Sequence, residues 1–260
     1  MPFPQIDPVF LRLGPLEFRW YGLMYIVGFL AAYFIIQSAA RRRELPLAKD
    51  DVADLVFAVA MGIILGGRLG YVLFYNFGFY LAHPLKIFAV WEGGMSFHGG
   101  LLGALAAGYW FVRKRKLSFA AMLDCGFQAA PVGLGLGRLG NFINGELYGR
   151  PTDLPWGVVF PGGGQLPRHP SQLYEAVLEG VVLFVVLRLV ARRRLPDGTV
   201  FWTFVALYGL FRSFVEFFRE PDQHLGFFAG WVTMGQLLSL PMLLVGGGMA
   251  LRLVLRRHAR

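Results

Sequence analysis

The chain alternates long apolar stretches with short polar breaks. Apolar residues dominate 20–40, 52–74, 94–112, 119–143, 171–190, 199–218 and 230–251. Each is close to the run of about 20 residues that lets an α-helix cross the hydrocarbon of a bilayer. None shows the strict alternation of a barrel strand, and in lipid only helices and closed barrels satisfy their own backbone. The pattern predicts an all-α integral membrane protein with seven transmembrane helices. No Ser- or Pro-rich linker and no internal repeat divides it, so residues 1–260 are expected to form a single polytopic membrane domain. The longest break, 144–170, carries the turn signals "PTDLPWG" and "PGGG". Another break, "FYNFGFYLAHPLKIFAVW", is aromatic and nearly uncharged, as expected of a segment lying in the membrane interface.

Composition and charge add direction. Hydrophobic residues make up 56% of the chain and charged ones 16%, against about 25% charged in a typical soluble domain. The net charge of +9 sits in clusters at the breaks: "RRRELPLAK", "RKRK", "ARRR" and "RLVLRRHAR". The first, third and fifth breaks plus the C-terminal tail hold 15 Lys and Arg, the remaining non-apolar segments 6. By the positive-inside rule the N terminus is periplasmic, the C terminus cytoplasmic, and 144–170 a periplasmic connection. The basic charge therefore reads as topology and not as a nucleic-acid groove. The first stretch is too long for a cleavable leader and is followed by Arg41-Arg42-Arg43, a stop-transfer flank. The single cysteine, Cys125, excludes an intramolecular disulfide.

With direction set, the polar residues within the stretches acquire depths. Tyr21, Arg68, His98, Arg138, Asn141, Tyr208, Arg212 and Glu216 fall in the outer half, and Asn144 and Glu146 lie just beyond the fourth stretch. An arginine at the bilayer centre costs about 2.5–3.5 kcal/mol, so three in one layer are expected to line a wet or ligand-filled cavity. Taken singly, bland readings compete. Arg212 and Glu216 are four apart and can neutralise each other, and Tyr21 fits an aromatic belt. Glu175, Glu179 and Asp124 fit interhelical hydrogen-bonding glue. Taken together, Arg68, His98, Arg138 and Arg212 read as functional.

Residues 135–140, "GLGRLG", match a dinucleotide-binding pattern, but no strand precedes them and no helix follows. Gly133, Gly137 and Gly140 are expected instead to permit close packing or substrate approach. Ser96 and His98 do not form a nucleophile–base pair at a spacing of two. His83, His98, His169 and His224 are too scattered for a metal site. Guanidinium forks suit a phosphate, and Glu146 and Glu216 would orient them. Asparagine amides suit glycerol hydroxyls or ester carbonyls, and histidine is the side chain whose ordinary pKa lies near neutrality. These residues point to chemistry or transport on an anionic outer-leaflet phospholipid and leave those two open.

Residues 137–149, "GRLGNFINGELYG", resemble the signature G-R-x-G-N-F-x-N-x-E-x-x-G of the prolipoprotein diacylglyceryl transferases. Gly137, Arg138, Gly140, Asn141, Phe142, Asn144, Glu146 and Gly149 fill its fixed positions. "RWYGLMY", "GGRLGYVLFYN", "GGMSFHGG", "RHPSQLYEA" and "LYGLFRSFVEFFREPD" extend the resemblance along nearly the whole chain. It implies a seven-helix bacterial inner-membrane enzyme that moves the diacylglyceryl group of phosphatidylglycerol to the lipobox cysteine of a prolipoprotein. The products are a thioether and glycerol phosphate; no metal or redox cofactor is implied, and a monomer is expected. The implied catalytic residues are His98 as proton acceptor and Arg138 and Arg212 as phosphate clamps. Tyr21, Arg68, Asn141, Asn144, Glu146, Gly149, Tyr208 and Glu216 would form the substrate site. The alternative, a transporter or flippase for an anionic lipid, would need alternating access and usually a second polar layer or an internal repeat, and the inner halves offer little beyond Asp124 and Gln128.

Overall fold

The computed structural model describes residues 1–14, 16–220, 227–228 and 232–258. His224 and the first residues of the seventh predicted stretch lie outside them. A hairpin of β1 (Val9–Leu13) and β2 (Leu16–Arg19) leads directly into α1 (Trp20–Arg42). Then come α2 (Lys49–Phe74), α3 (Phe77–Ala82), two 3₁₀ turns (Pro84–Phe88 and Val90–Glu92) and α4 (Phe97–Arg115). The fourth apolar stretch is two helices, α5 (Phe119–Gly126) and α6 (Ala130–Ile143), with Pro131 opening the second. Proline lacks the N–H that would continue α5, whereas the first helical turn has no use for it. The fifth is α7 (Ser171–Glu175), a π-helical segment (Ala176–Val182) and α8 (Leu183–Ala191). α9 (Thr199–Val215), the short pair β3 (Phe227–Phe228) and β4 (Val232–Thr233), and α10 (Met234–His258) complete the chain.

Every predicted apolar stretch contains helix, but 94–96, 127–129 and 216–218 lie outside the helices and Val232–Thr233 is a strand. Among the described residues, four helical segments are long and apolar enough to cross a membrane: Trp20–Arg42, Lys49–Phe74, Phe119–Ile143 and Met234–Arg256. The expectation of a membrane protein is met at that level.

Packing divides the chain into two compact units, Met1–Ile35 with Leu123–Arg260, and Ile36–Met122. In the second, α2 and α4 meet on a seam of glycines. A Cβ on Gly66 would lie 2.3 Å from the Gly99 carbonyl oxygen, and one on Gly103 would lie 2.0 Å from that of Gly62. Backbones this close gain dispersion contact that lipid tails cannot supply. At one end Asp51 accepts from the Ala48 N–H at 2.9 Å and pairs with Arg115 from the last turn of α4. At the other, Ser96 is the N-cap of α4 and accepts from the Gly99 N–H at 3.2 Å. That bond is what occupies the Ser96 hydroxyl.

The first unit has its core at Leu183, Leu187, Val200 and Phe204, with Phe127, Leu134 and Phe211 packed against it. Asp124, fully buried on α5, receives the Gly198 N–H at 2.9 Å and the Phe201 N–H at 2.8 Å. It caps α9 and is interhelical glue, as expected. The glycines expected to allow close approach divide in their roles. Gly140 lies beneath the Tyr21 ring, where a Cβ would come within 2.7 Å, and a Cβ on Gly28 would meet Gly133 at 3.7 Å. Gly137 has open space; the tight contact falls to Gly135, against Gly180 of the π-helical segment at 3.1 Å. The connection 144–170 folds on itself through bridges from Arg168 to Pro151 and Val158, and takes in the chain start through Pro2 and Val159. Phe3 lies 5.6 Å from the Phe142 ring and 5.4 Å from that of Phe160.

Candidate active site

The signature stretch builds a loop around one carboxylate. α6 ends at Ile143, and Gly145 and Leu147 take positive φ of 68° and 58° to reverse the chain. Leu147 carries a side chain in a region that favours glycine. The reversal is fastened by the Glu146 N–H donating to the Asn141 carbonyl at 3.0 Å. It lets Asn141 Nδ2 and Asn144 Nδ2 donate to the same oxygen, Glu146 Oε1, at 2.9 and 3.2 Å. From the next helix Gln172 Nε2 holds the Glu146 carbonyl at 2.6 Å, and Ser171 Oγ holds that of Leu147 at 3.2 Å. The asparagines therefore orient an exposed glutamate. Gly149 has a different task from the substrate contact expected of it. A Cβ there would sit 2.3 Å from the Phe218 carbonyl oxygen, and Gly149 bridges to Arg219. It fastens the loop to the end of α9.

Beside this loop lies a buried cluster of charge. Glu175, with no exposed surface, gathers three arginines. Its Oε1 accepts from Arg212 Nη1 at 3.1 Å and from Arg219 Nη1 at 3.0 Å, and its Oε2 pairs with Arg138 Nε. Arg212 Nη2 lies 2.9 Å from Glu216 Oε2, so the i,i+4 pair expected from the sequence is present, within a larger network. Glu216 is close to Gly235 in the first turn of α10, where a Cβ would fall 2.6 Å from its Cδ. Arg138 differs from Arg212 in one respect. Arg212 has both terminal nitrogens on carboxylates, whereas Arg138 is held by Nε alone, and its terminal nitrogens have no hydrogen-bond partner among the described residues. An edge-held guanidinium with an open fork is suited to a bidentate oxyanion. Glu179 is buried one turn beyond Glu175, and neither of its oxygens accepts a hydrogen bond among the described residues. Tyr21 stands in electrostatic reach of Arg138 and Glu146, and its hydroxyl is 3.3 Å from that of Tyr25. Tyr208 stacks on Phe204, with ring centroids 5.7 Å apart.

Tyr21, Arg138, Asn141, Asn144, Glu146, Gly149, Tyr208, Arg212 and Glu216 all belong to the first unit; Arg68 and His98 belong to the second. Arg68 is buried, and its donors are spent on backbone. Nε reaches the Ile87 carbonyl at 2.8 Å, Nη1 those of Gly93 and Gly94 at 2.5 and 3.2 Å, and Nη2 that of Lys86 at 2.5 Å. It staples the aromatic break to α2, which leaves Leu85, Phe88 and Trp91 exposed, and this saturation argues against the substrate-binding role expected for it. His98 is exposed in the first turn of α4, with no hydrogen bond among the described residues.

Sequence reasoning missed Glu175 as the centre of the cluster, and missed Arg219. A faint signal existed: Arg212, Glu216 and Arg219 share one helical face by spacing. Around the loop, Arg150 donates to the Arg219 carbonyl at 2.6 Å and the Glu216 carbonyl at 3.3 Å, tying off the end of α9. His169 sits against Phe218 at 5.1 Å, and burial pushes its imidazole below the usual range. No group of three or more His, Cys, Asp or Glu able to hold a metal ion occurs among the described residues.

The model of the prolipoprotein diacylglyceryl transferase family matches residues 8–252. A phosphatidylglycerol–prolipoprotein diacylglyceryl transferase of Geobacter sulfurreducens is 69% identical over 257 residues, 99% of this chain and 98% of that protein. Relatives of the same name from Photobacterium profundum and Vibrio vulnificus are each 54% identical, over 95% and 96% of this chain and 92% of their own length. The signature loop and its arginine partners therefore sit in a chain that belongs, over nearly all its length, to the prolipoprotein diacylglyceryl transferase family.

Proposed function

We propose that the protein transfers the diacylglyceryl group of phosphatidylglycerol to the lipobox cysteine of a prolipoprotein, and the observation that carries this is the open fork of Arg138. The names of its relatives supply the two substrates. The phosphate of the lipid is bound by Arg138 with Arg212 behind it. The cysteine sulfur attacks the glyceryl carbon, a carbon–sulfur bond forms, and the carbon–oxygen bond to phosphate breaks. The leaving phosphate ester gains negative charge, which guanidiniums fixed on Glu175 stabilise without reorganising. A thiol of ordinary pKa about 8.5 is largely protonated at neutral pH, so its proton must be taken up. His98, exposed in the first turn of α4 and without a hydrogen bond among the described residues, is the proton acceptor in this reading. Glu146, held by two asparagines, orients the substrate at the mouth of the site.

The transporter reading gains no support. Asp124 is committed to the α9 amides, and Gln128 donates to the Asp124 carbonyl at 2.8 Å and accepts from Arg188 at 3.3 Å. Both belong to the scaffold.

Purified protein given phosphatidylglycerol and a lipobox peptide should add one diacylglyceryl mass to the peptide cysteine. In the same assay His98→Gln should bind the lipid but turn over slowly, because glutamine cannot accept a proton. No mass gain by the wild type would refute the transfer; a wild-type rate in His98→Gln would move the proton acceptor elsewhere.

We also propose seven membrane spans in the bacterial inner membrane, an active site on the periplasmic side and a monomer; the charge bias supports the orientation. A cysteine replacing Thr152 should react with an impermeant thiol reagent outside spheroplasts, and one replacing Lys114 should not. The reverse pattern would invert the topology.

A further inference from the structure

The arginine cluster poses a problem of charge. Arg138 and Arg212 are bonded to two buried carboxylates, Glu175 and Glu216. Two guanidiniums against two carboxylates sum to zero, and a neutral cluster has little net attraction for a phosphodiester. Arg219 changes the sum. It sits on the same Glu175 oxygen as Arg212, with its Nε 3.9 Å from Glu216 Oε2. Its side chain is 11% exposed, and among the described residues both of its ion-pair partners belong to the cluster. The ion-paired set, which leaves out Glu179 because neither of its oxygens accepts a hydrogen bond among the described residues, then carries one positive charge, while Glu175 keeps its carboxylate as a fixed three-way junction.

We propose that Glu175 and Arg219 are a positioning pair: Glu175 sets the spacing of the two phosphate-binding arginines, and Arg219 cancels the charge Glu175 brings, so that the cluster attracts an anionic lipid. Neither touches the substrate. The roles separate because one is geometric and the other electrostatic. A unit charge about 7–12 Å from a bound phosphate, at an effective dielectric of about 20, changes affinity roughly ten- to fiftyfold. Loss of the junction instead releases Arg138 and Arg212 from their registered positions, and misplaced catalytic groups lower the rate of the chemical step.

The inference rests on the proposed transfer from phosphatidylglycerol, and kinetics can separate the two. KM and kcat for phosphatidylglycerol are measured with a lipobox peptide for the wild type and four variants. R219Q should raise KM about tenfold or more with kcat little changed, and R219K, which keeps the charge, should stay near wild-type KM. E175Q should lower kcat on the order of a hundredfold without raising KM. E175Q/R219Q restores the charge of the set, so its KM should fall back toward wild type while kcat stays low. An R219Q that loses kcat at unchanged KM, an R219K that fails to recover KM, or a double variant with KM no lower than R219Q overturns the inference. So does an R219Q that does not fold, since Arg219 would then be structural. A wild type that transfers nothing to the peptide overturns the proposed function itself.

Discussion

Arg138→Lys should fold, insert and bind phosphatidylglycerol, yet lose about 10²- to 10³-fold in turnover. The expected loss follows from counting donors. Arg138 uses Nε on Glu175 and keeps two terminal nitrogens without a hydrogen bond among the described residues. A lysine has one nitrogen on a flexible stem and cannot hold Glu175 and grip two phosphate oxygens in one plane. Charge is conserved, so lipid affinity should change much less than kcat. Steady-state kinetics with phosphatidylglycerol and a lipobox peptide read both quantities. Turnover within about threefold of wild type would remove Arg138 from the clamp.

The second large effect concerns folding. Gly103→Ala should destabilise by about 3 kcal/mol or more, because the new methyl meets backbone that has nowhere to go. Its Cβ would sit 2.0 Å from the Gly62 carbonyl oxygen and 3.0 Å from the Gly66 Cα. Five residues on in the same helix, Gly108 has nothing within 4 Å of its Cβ position. Gly108→Ala should be neutral or gain up to about 1 kcal/mol from helix propensity. Thermal unfolding in one detergent compares the pair directly. Equal midpoints for the two variants would show that the seam between α2 and α4 yields.

These effects differ in how far the sequence announces them. Helical stretches are legible because a bilayer leaves the backbone few options, and their length and apolarity are local properties. The grouping of Arg138, Asn141, Asn144 and Glu146 is legible for a similar reason, since four polar side chains within nine residues carry a cost in hydrocarbon. Glu175 is not legible. Alone it resembles any buried helical acid, and its importance comes from arginines 37 and 44 residues away. Arg68 misleads in the opposite direction. It reads as an intramembrane charge seeking a ligand, but its partners are backbone carbonyls 18 to 26 residues on, and carbonyls leave no mark in a sequence. The N-terminal hairpin went unread as well. Its residues are few, and Leu11, Leu13, Leu16 and Phe18 are exposed, so no core-facing alternation marks the strands.

The cap that Asp124 places on α9 has a consequence in time as well as in space. The donors it serves lie 74 and 77 residues further along the chain. While the protein is being made, the acid leaves the ribosome well before the amides that will neutralise its lone pairs. Until then an ionised carboxylate without those donors would be costly to bury, so the hydrogen-bonded burial of Asp124 has to follow synthesis of residues 198 to 201. One buried side chain thus links an early helix to a late one: α5 cannot bury its acid with these bonds until the start of α9 exists.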